Sequence, residues 1–248
     1  MLARLRTARG IARSLFIYYG DRNRAARMDR LYGRFVERGS LVFDVGAHVG
    51  DRIASFRRLG ARVVAVEPQP ALAKLLKLIY GRGSAVVVEA AALGRCAGTT
   101  ELMLNIDNPT VSTVSRSFID AARGAVGWEA QRWTASVSVA VTTLDQLIVR
   151  HGTPAFIKID VEGFEAEALA GLTQPVKALS FEFTTIQRDV ALACVERCVA
   201  LGFARFNAAL GESQSFVHAH WIDGAAISRW LDALPYETNS GDIYAAIA

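Results

Sequence analysis

Leu41-Val-Phe-Asp-Val-Gly-Ala-His-Val-Gly-Asp51 reads as a buried strand, a turn bracketed by Gly46 and Gly50, and the start of a helix at Asp51. Such a strand-to-helix turn points backbone N–H groups and the positive end of a helix at a polar or anionic ligand. The spacing is Asp-x-Gly-x-x-x-Gly. A dinucleotide site needs its first two glycines one residue apart to seat a pyrophosphate, and that Gly-x-Gly-x-x-Gly pattern is missing here. Asp44, at the end of the strand, precedes a wider turn that suits a nucleoside without a pyrophosphate.

Working outward, Arg62-Val-Val-Ala-Val-Glu67 is the next strand, and Glu67 follows Asp44 at the separation from which an acid in βαβ nucleotide sites holds ribose hydroxyls. Pro68 and Pro70 end the strand and open a helix. A carboxylate for the ribose and a turn for an amino-acid tail together point to S-adenosylmethionine. The competing interpretation is a nucleotide-binding domain in which these residues are purely structural.

Strand and helix signals then alternate as in an α/β parallel sheet. Strands are predicted at 41–45, 62–67, 85–90, 155–160, 178–183, 203–207 and 242–247, and helices at 51–59, 70–80, 143–150, 165–171, 189–201 and 225–234. An insertion interrupts this alternation. Thr99–Leu104 and Ala135–Val141 alternate like antiparallel edge strands and flank residues 105–132, a candidate lid over the substrate.

The chain of 248 residues is long enough for one full α/β core, and 52% hydrophobic with 21% charged residues describes a globular protein. No apolar run is long enough for a membrane span. Cys96, Cys194 and Cys198 make no disulfide framework, which sets the expectation of a reducing, cytoplasmic compartment. The net charge of +4 is uneven: residues 1–38 carry ten arginines against three acids, and the remainder is mildly acidic. The domain division expected is therefore a basic helical segment, 1–38, and a catalytic domain, 39–248. Leu2, Leu5, Ala8, Ala12 and Leu15 recur at helical spacing, so the favoured expectation is a helix packed on the domain with its arginines solvated. The alternatives are peripheral contact with an anionic membrane and a mitochondrial transit peptide.

The second specific block is Ala155-Phe-Ile-Lys-Ile-Asp-Val-Glu-Gly-Phe-Glu165. Its strand should end near Asp160, and Gly163 allows a positive φ before the next helix. Ligands of open α/β sheets bind outside the carboxyl ends of the strands, so Asp44, Glu67 and Asp160 are expected around one crevice. Lys158 lies in mid-strand of a sheet covered on both faces and must be paired; Glu182, on the adjacent strand, is its expected partner. Lys158→Met is then expected to spare the fold and damage turnover.

Asp-Val-Gly-Ala-His-Val-Gly (44–50), Val-Glu-Pro (66–68), Thr-Leu-Asp (143–145) and Ile-Lys-Ile-Asp-Val-Glu-Gly (157–163) together resemble the FkbM family of S-adenosylmethionine-dependent methyltransferases. The resemblance runs from about Leu41 to Phe183, with an echo at Gly241-Asp-Ile-Tyr. It implies a Rossmann-like class I methyltransferase with a seven-stranded, mostly parallel sheet, helices on both faces and an antiparallel final strand. It also implies O-methylation of a saccharide or small natural-product hydroxyl. His48 stands where that family more usually has asparagine. The resemblance puts the adenine edge at Glu89–Ala92.

Methyl transfer from a sulfonium needs mainly a positioned nucleophile and a place for its proton. The expected cofactor residues are Asp44, Gly46, Ala47, His48 and Gly50 for the methionine part, Glu67 and Pro68 for the ribose, and Ala91 for the adenine edge. Asp160, with Lys158 and Glu182, is expected at the transferred methyl, as general base or as orienter of the acceptor hydroxyl. Glu162 either assists or caps the turn, and His48 is an alternative base. No spacing demands a metal, although Asp160 and Glu182 are ligands of the type Mg²⁺ takes; His218 and His220, two apart before Trp221 and so able to face one side of a strand, lack partners for zinc. A nucleic-acid or protein methyltransferase and a non-catalytic adenosyl-binding protein remain as alternatives, but an acidic catalytic body repels phosphate.

Overall fold

The carboxyl end of one buried strand organises the computed structural model, which describes residues 2–247, with the side chains of residues 2–5 outside the description. The chain begins with helices α1 (Leu2–Tyr19) and α2 (Arg22–Tyr32). It continues through β1 (Leu41–Val45), α3 (Asp51–Arg58), β2 (Arg62–Val66), α4 (Pro70–Tyr80) and β3 (Val86–Glu89). Next come β4 (Ala92–Leu93), β5 (Gly98–Leu104), α5 (Arg116–Ala122), β6 (Ala135–Thr142) and α6 (Leu144–His151). The last elements are β7 (Phe156–Ile159), α7 (Glu165–Ala170), β8 (Ala178–Thr184), α8 (Arg188–Ala200), β9 (Arg205–Leu210), α9 (Gly224–Asp232) and β10 (Ser240–Ala246).

Seven strands form one sheet in the order β3-β2-β1-β7-β8-β10-β9. β10 runs antiparallel to both its neighbours, and the pairs from β3 through to β8 are parallel. The order reverses direction between β1 and β7, and the crevice outside that switch point is where such sheets bind ligands.

Alternation along each strand sends side chains to two cores. Phe43, Val45, Ile157, Ile159, Leu179 and Phe181 face one side with residues of α6, α7 and α8. Val42, Val63, Ala65 and Phe156 face the other, with Met28, Leu31 and Tyr32 of α2 and Ile53 and Phe56 of α3. Full burial of a Leu, Met or Phe side chain contributes about 1.5–3 kcal/mol, so α2 is held chiefly by its apolar face. The same alternation places Asp44, Lys158, Ser180, Glu182 and Asp242 on the second face, toward the crevice.

The inserted strands do not extend the main sheet. β5 and β6 pair with each other over seven positions, and β4 joins the far side of β6 in parallel, making a separate three-stranded sheet. Residues 105–134 fold around aromatic rings: Phe118 meets Trp128 edge-on at 5.2 Å, and Trp133 Nε1 donates to the Val111 carbonyl at 2.7 Å.

The arginines of the first two helices differ in their surroundings. Arg6 pairs with Asp107 at the surface, whereas Arg24 is buried and donates to Asp51 at 2.9 Å and Glu212 at 2.7 Å. The expected periodic positions Leu2 and Leu5 lie outside the described side chains. No described helix is long and apolar enough to cross a membrane. Cys194 and Cys198 are buried in α8 and Cys96 is exposed. His218 and His220 lie on an irregular segment; their carbonyls accept from Asn207, which fixes that segment by backbone contacts.

Candidate active site

The cleft at the switch point is walled by the turns that follow β1, β2, β3 and β7 and roofed by Thr110, Ser112 and Thr113 of the insertion. Gly46 has φ +79°, and a Cβ there would lie 1.7 Å from the Asp160 carbonyl oxygen. Only glycine lets the two strand ends meet this closely. Asp160 N–H donates to the Val45 carbonyl at 3.0 Å, which ties the ends together. His48 has φ +47°. Asparagine and histidine are both enriched in that left-handed region, so the conformation explains how histidine substitutes at this position.

Of the residues expected to hold a cofactor, Gly46, His48, Glu67, Pro68 and Ala91 line the cleft. Ala47 instead packs into the core, and a Cβ on Gly50 would meet Leu76 and Tyr80 of α4. These two let helix and turn pack closely and do not face the cleft. At the adenine edge, Ala91 lines the wall, while Glu89 is occupied by Arg150 at 3.2 Å and His151 at 2.8 Å. Thr143 caps α6, and Asp145 accepts from Thr173 N–H, so the Thr-Leu-Asp motif serves the fold.

The three expected carboxylates separate into two on the surface of the cleft and one beneath it. Glu67 and Asp160 line it; Asp44 lies below the turn, fully buried, with neither oxygen hydrogen-bonded. Burial pushes Asp44 up to about 7. Glu67 accepts from His48 N–H and Gln69 N–H, each at 2.8 Å, and its remaining lone pairs are free for hydroxyl donors. Burial raises it to about 7 in spite of those two bonds, and burial lowers His48 to about 4.

A pH dependence follows. Between the ordinary glutamate range and about 7, the folded chain keeps a proton on Glu67 that the unfolded chain has released. Stability is therefore lost as pH rises through this window. Glu67→Gln should flatten that loss and bind the nucleoside more weakly; its amide nitrogen cannot accept, so one of the two backbone N–H bonds is given up. Denaturation midpoints across the window check this; a variant that keeps the wild-type slope contradicts it.

At the end of β7 the expected Lys158–Glu182 pair is not formed. Lys158 Nζ lies 2.7 Å from Asp242 and 3.2 Å from Asp160. The register explains this: Lys158 sits beside Ser180, whose small side chain lets the ammonium pass across β8 to β10, while Glu182 stands two residues further along. Arg52, at 3.5 Å, is a second cation near Asp160 and also approaches Asp51 at 3.6 Å and Glu212 at 3.7 Å. Burial alone would raise Asp160, but Lys158 and Arg52 outweigh it and hold this carboxyl down to about 2. The turn's cap is Glu165, which accepts from Val161 N–H and Gly163 N–H. Glu162, at φ +55°, leaves its side chain in the cleft wall.

Asp242 and Arg52 were not singled out as site residues by the sequence. The echo of the family at Gly241-Asp-Ile-Tyr marked the first; Arg52 had no signal beyond its place one residue inside the helix after the glycine turn.

A seven-stranded sheet of this order, with only the strand next to the last position reversed, and a crevice bounded by a glycine turn and strand-end acids define a class I methyltransferase. The family profile described as the Methyltransferase FkbM domain matches residues 44–221, and the chain belongs to that family.

Among solved structures the chain is similar to an O-methyltransferase from Bacillus cereus in complex with SAH, at 11% identity and TM-score 0.48, covering 96% of this chain and 90% of that one. It is similar to a TehB-like SAM-dependent methyltransferase from Corynebacterium glutamicum at 12% identity and TM-score 0.45, over 90% and 88% of the two chains. It also resembles precorrin-6y C5,15-methyltransferase from Geobacter metallireducens at 13% identity and TM-score 0.40, over 91% and 87%. A comparison with curated proteins gave no match.

Proposed function

We propose that this methyltransferase moves the methyl group of S-adenosylmethionine to a hydroxyl oxygen of a saccharide or other small-molecule acceptor. The residues present suit the cofactor. Glu67 takes the ribose diol, Ala91 flanks the adenine, and the backbone beside Gly46 accommodates the methionine part. The buried oxygens of Asp44, without hydrogen bonds, favour a cationic ligand close by, and the cofactor carries a sulfonium and an ammonium. When bound it supplies an activated methyl group with a good leaving group.

One observation carries the choice of acceptor: a carboxylate, Asp160, lies in the cleft wall with Lys158 and Arg52 beside it. Ion-paired in this way, Asp160 accepts a hydrogen bond from the acceptor hydroxyl and aims an oxygen lone pair at the methyl carbon; as that oxygen gains the methyl group its proton becomes strongly acidic and passes to the Asp160 carboxylate. Glu162 and Glu182 stand next to it, and an acid-rich acceptor end disfavours a polyphosphate chain. Peripheral contact of residues 1–38 with an anionic membrane is a separate proposal, supported by the exposed surface of α1 at Arg9 and Arg13.

The test is transfer of labelled methyl groups to a panel of glycans, hydroxylated metabolites, RNA and unrelated proteins. Label should appear in an alkali-stable ether on a hydroxyl acceptor. Asp160→Asn should lower the rate about 10²- to 10⁴-fold with cofactor binding retained. Label found only in RNA or protein would overturn the acceptor class.

A further inference from the structure

We infer that Asp160, Glu162 and Glu182 form a binding site for a divalent metal ion of the hard, oxygen-seeking kind, Mg²⁺, Mn²⁺ or Ca²⁺. One carboxylate oxygen from each of the three lies within 4.8 Å of the other two. That spacing matches ligands around one ion, since oxygens on opposite sides of Mg²⁺ or Ca²⁺ are separated by about 4 to 5 Å. All three donors are carboxylates, the ligand type that selects these ions over zinc or copper.

The second observation is independent of the spacing. Glu162 is 8% exposed, and no described group donates a hydrogen bond to its carboxylate. Glu182 Oε2 is buried without a hydrogen-bond partner. Buried carboxylates are ordinarily paired or hydrogen-bonded, because leaving one bare is costly. The available cations do not serve these two. Lys158 contacts Asp160 and Asp242, and Arg52 contacts Asp51, Asp160 and Glu212; neither forms an ion pair with Glu162 or Glu182 among the described residues. Glu165, the remaining acid of this turn, is engaged by backbone N–H groups. The cluster therefore gathers carboxylate oxygens toward one point, where an ion would replace the hydrogen bond that Glu182 shares with Asp160.

The fold explains how the three meet. Asp160 ends β7, Glu162 follows in the left-handed turn conformation that turns its side chain back toward the strand ends, and Glu182 comes from β8 alongside. Three protein ligands leave coordination positions for water or an acceptor oxygen. Asp160 belongs to both the cluster and the cleft, so an ion here would stand at the acceptor end and hold the attacking oxygen. That role rests on the methyltransferase reading; the binding of the ion does not.

The experiment uses the full chain with Mn²⁺ alone, without cofactor or acceptor, and follows bound Mn²⁺ by its electron paramagnetic resonance signal. Mg²⁺ and Ca²⁺ are then added as competitors. One Mn²⁺ per chain should bind. Glu182→Gln and Glu162→Gln should each weaken binding at least about tenfold, while Glu101→Gln, on the exposed side of β5, should bind as the unaltered chain does. Circular dichroism on the same samples confirms that each variant is folded. Absence of binding by Mn²⁺, Mg²⁺ and Ca²⁺ up to about 10 mM, beyond the weakest protein calcium sites, would overturn the proposal and leave the acids sharing protons. Equal binding by folded Glu182→Gln and by the unaltered chain would also overturn it. Neither outcome bears on whether S-adenosylmethionine binds, so failure here is distinguishable from failure of the proposed function.

Discussion

Lys158→Met should destabilise the fold by about 3–5 kcal/mol, the cost typical of removing one partner from a buried ion pair. Lys158 is wholly buried, and its ammonium is the contact that Asp242 and Asp160 share. Methionine fills the channel over Ser180 but leaves Asp242 without its cation and Asp160 with Arg52 alone. The sequence alone led to the opposite expectation, that folding would survive and only turnover would suffer. A second change separates charge from packing. Adding Asp242→Asn to Lys158→Met should recover part of the loss, because the uncompensated charge is then removed. Urea denaturation of both variants measures this; a single variant as stable as the wild type would show that the triad is energetically idle.

Gly46→Ala should be as damaging, by a different route. The added Cβ would fall 1.7 Å from the Asp160 carbonyl oxygen, which is backbone and cannot swing aside. The residue must also keep φ +79°, a conformation costing an L-residue about 1–2 kcal/mol. The turn after β1 therefore has to part from the end of β7 and lose the Asp160 to Val45 hydrogen bond. We expect about 2–5 kcal/mol of lost stability, the sum of overpacking and the positive-φ cost, and at least about a hundredfold weaker binding of S-adenosylhomocysteine. Calorimetric titration decides it; near-normal affinity would mean that the cofactor does not use this turn.

What could be read from the chain ahead of its structure had local causes. The run from Leu41 to Asp51 is strand, turn and helix because apolar burial, two positive-φ glycines and a helix start follow one another within a few residues. The main strands and helices likewise followed from periodicity, and their bounds moved by a few residues at most. What stayed hidden depended on contacts distant in sequence. The partner of Lys158 is 84 residues away and is set by the reversed β10 and by the smallness of Ser180. Arg24 looked like one more solvated arginine, but the placement of α2 against α3 buries it beside Asp51. The insertion gave two strands by alternation and concealed the rest, because Phe118, Trp128 and Trp133 form a small core of their own with no helical or strand period. Gly50 and Ala47 were assigned to the ligand because glycine-rich turns serve both packing and binding, and only the position of α4 tells which.

A crystal structure of the chain with S-adenosylhomocysteine decides whether this cleft holds the cofactor. Ribose hydroxyls should lie within hydrogen-bond distance of Glu67, adenine beside Ala91, and the sulfur on the side of the cleft that Asp160 lines. A nucleoside bound elsewhere, or one in this cleft whose ribose makes no contact with Glu67, would contradict this placement.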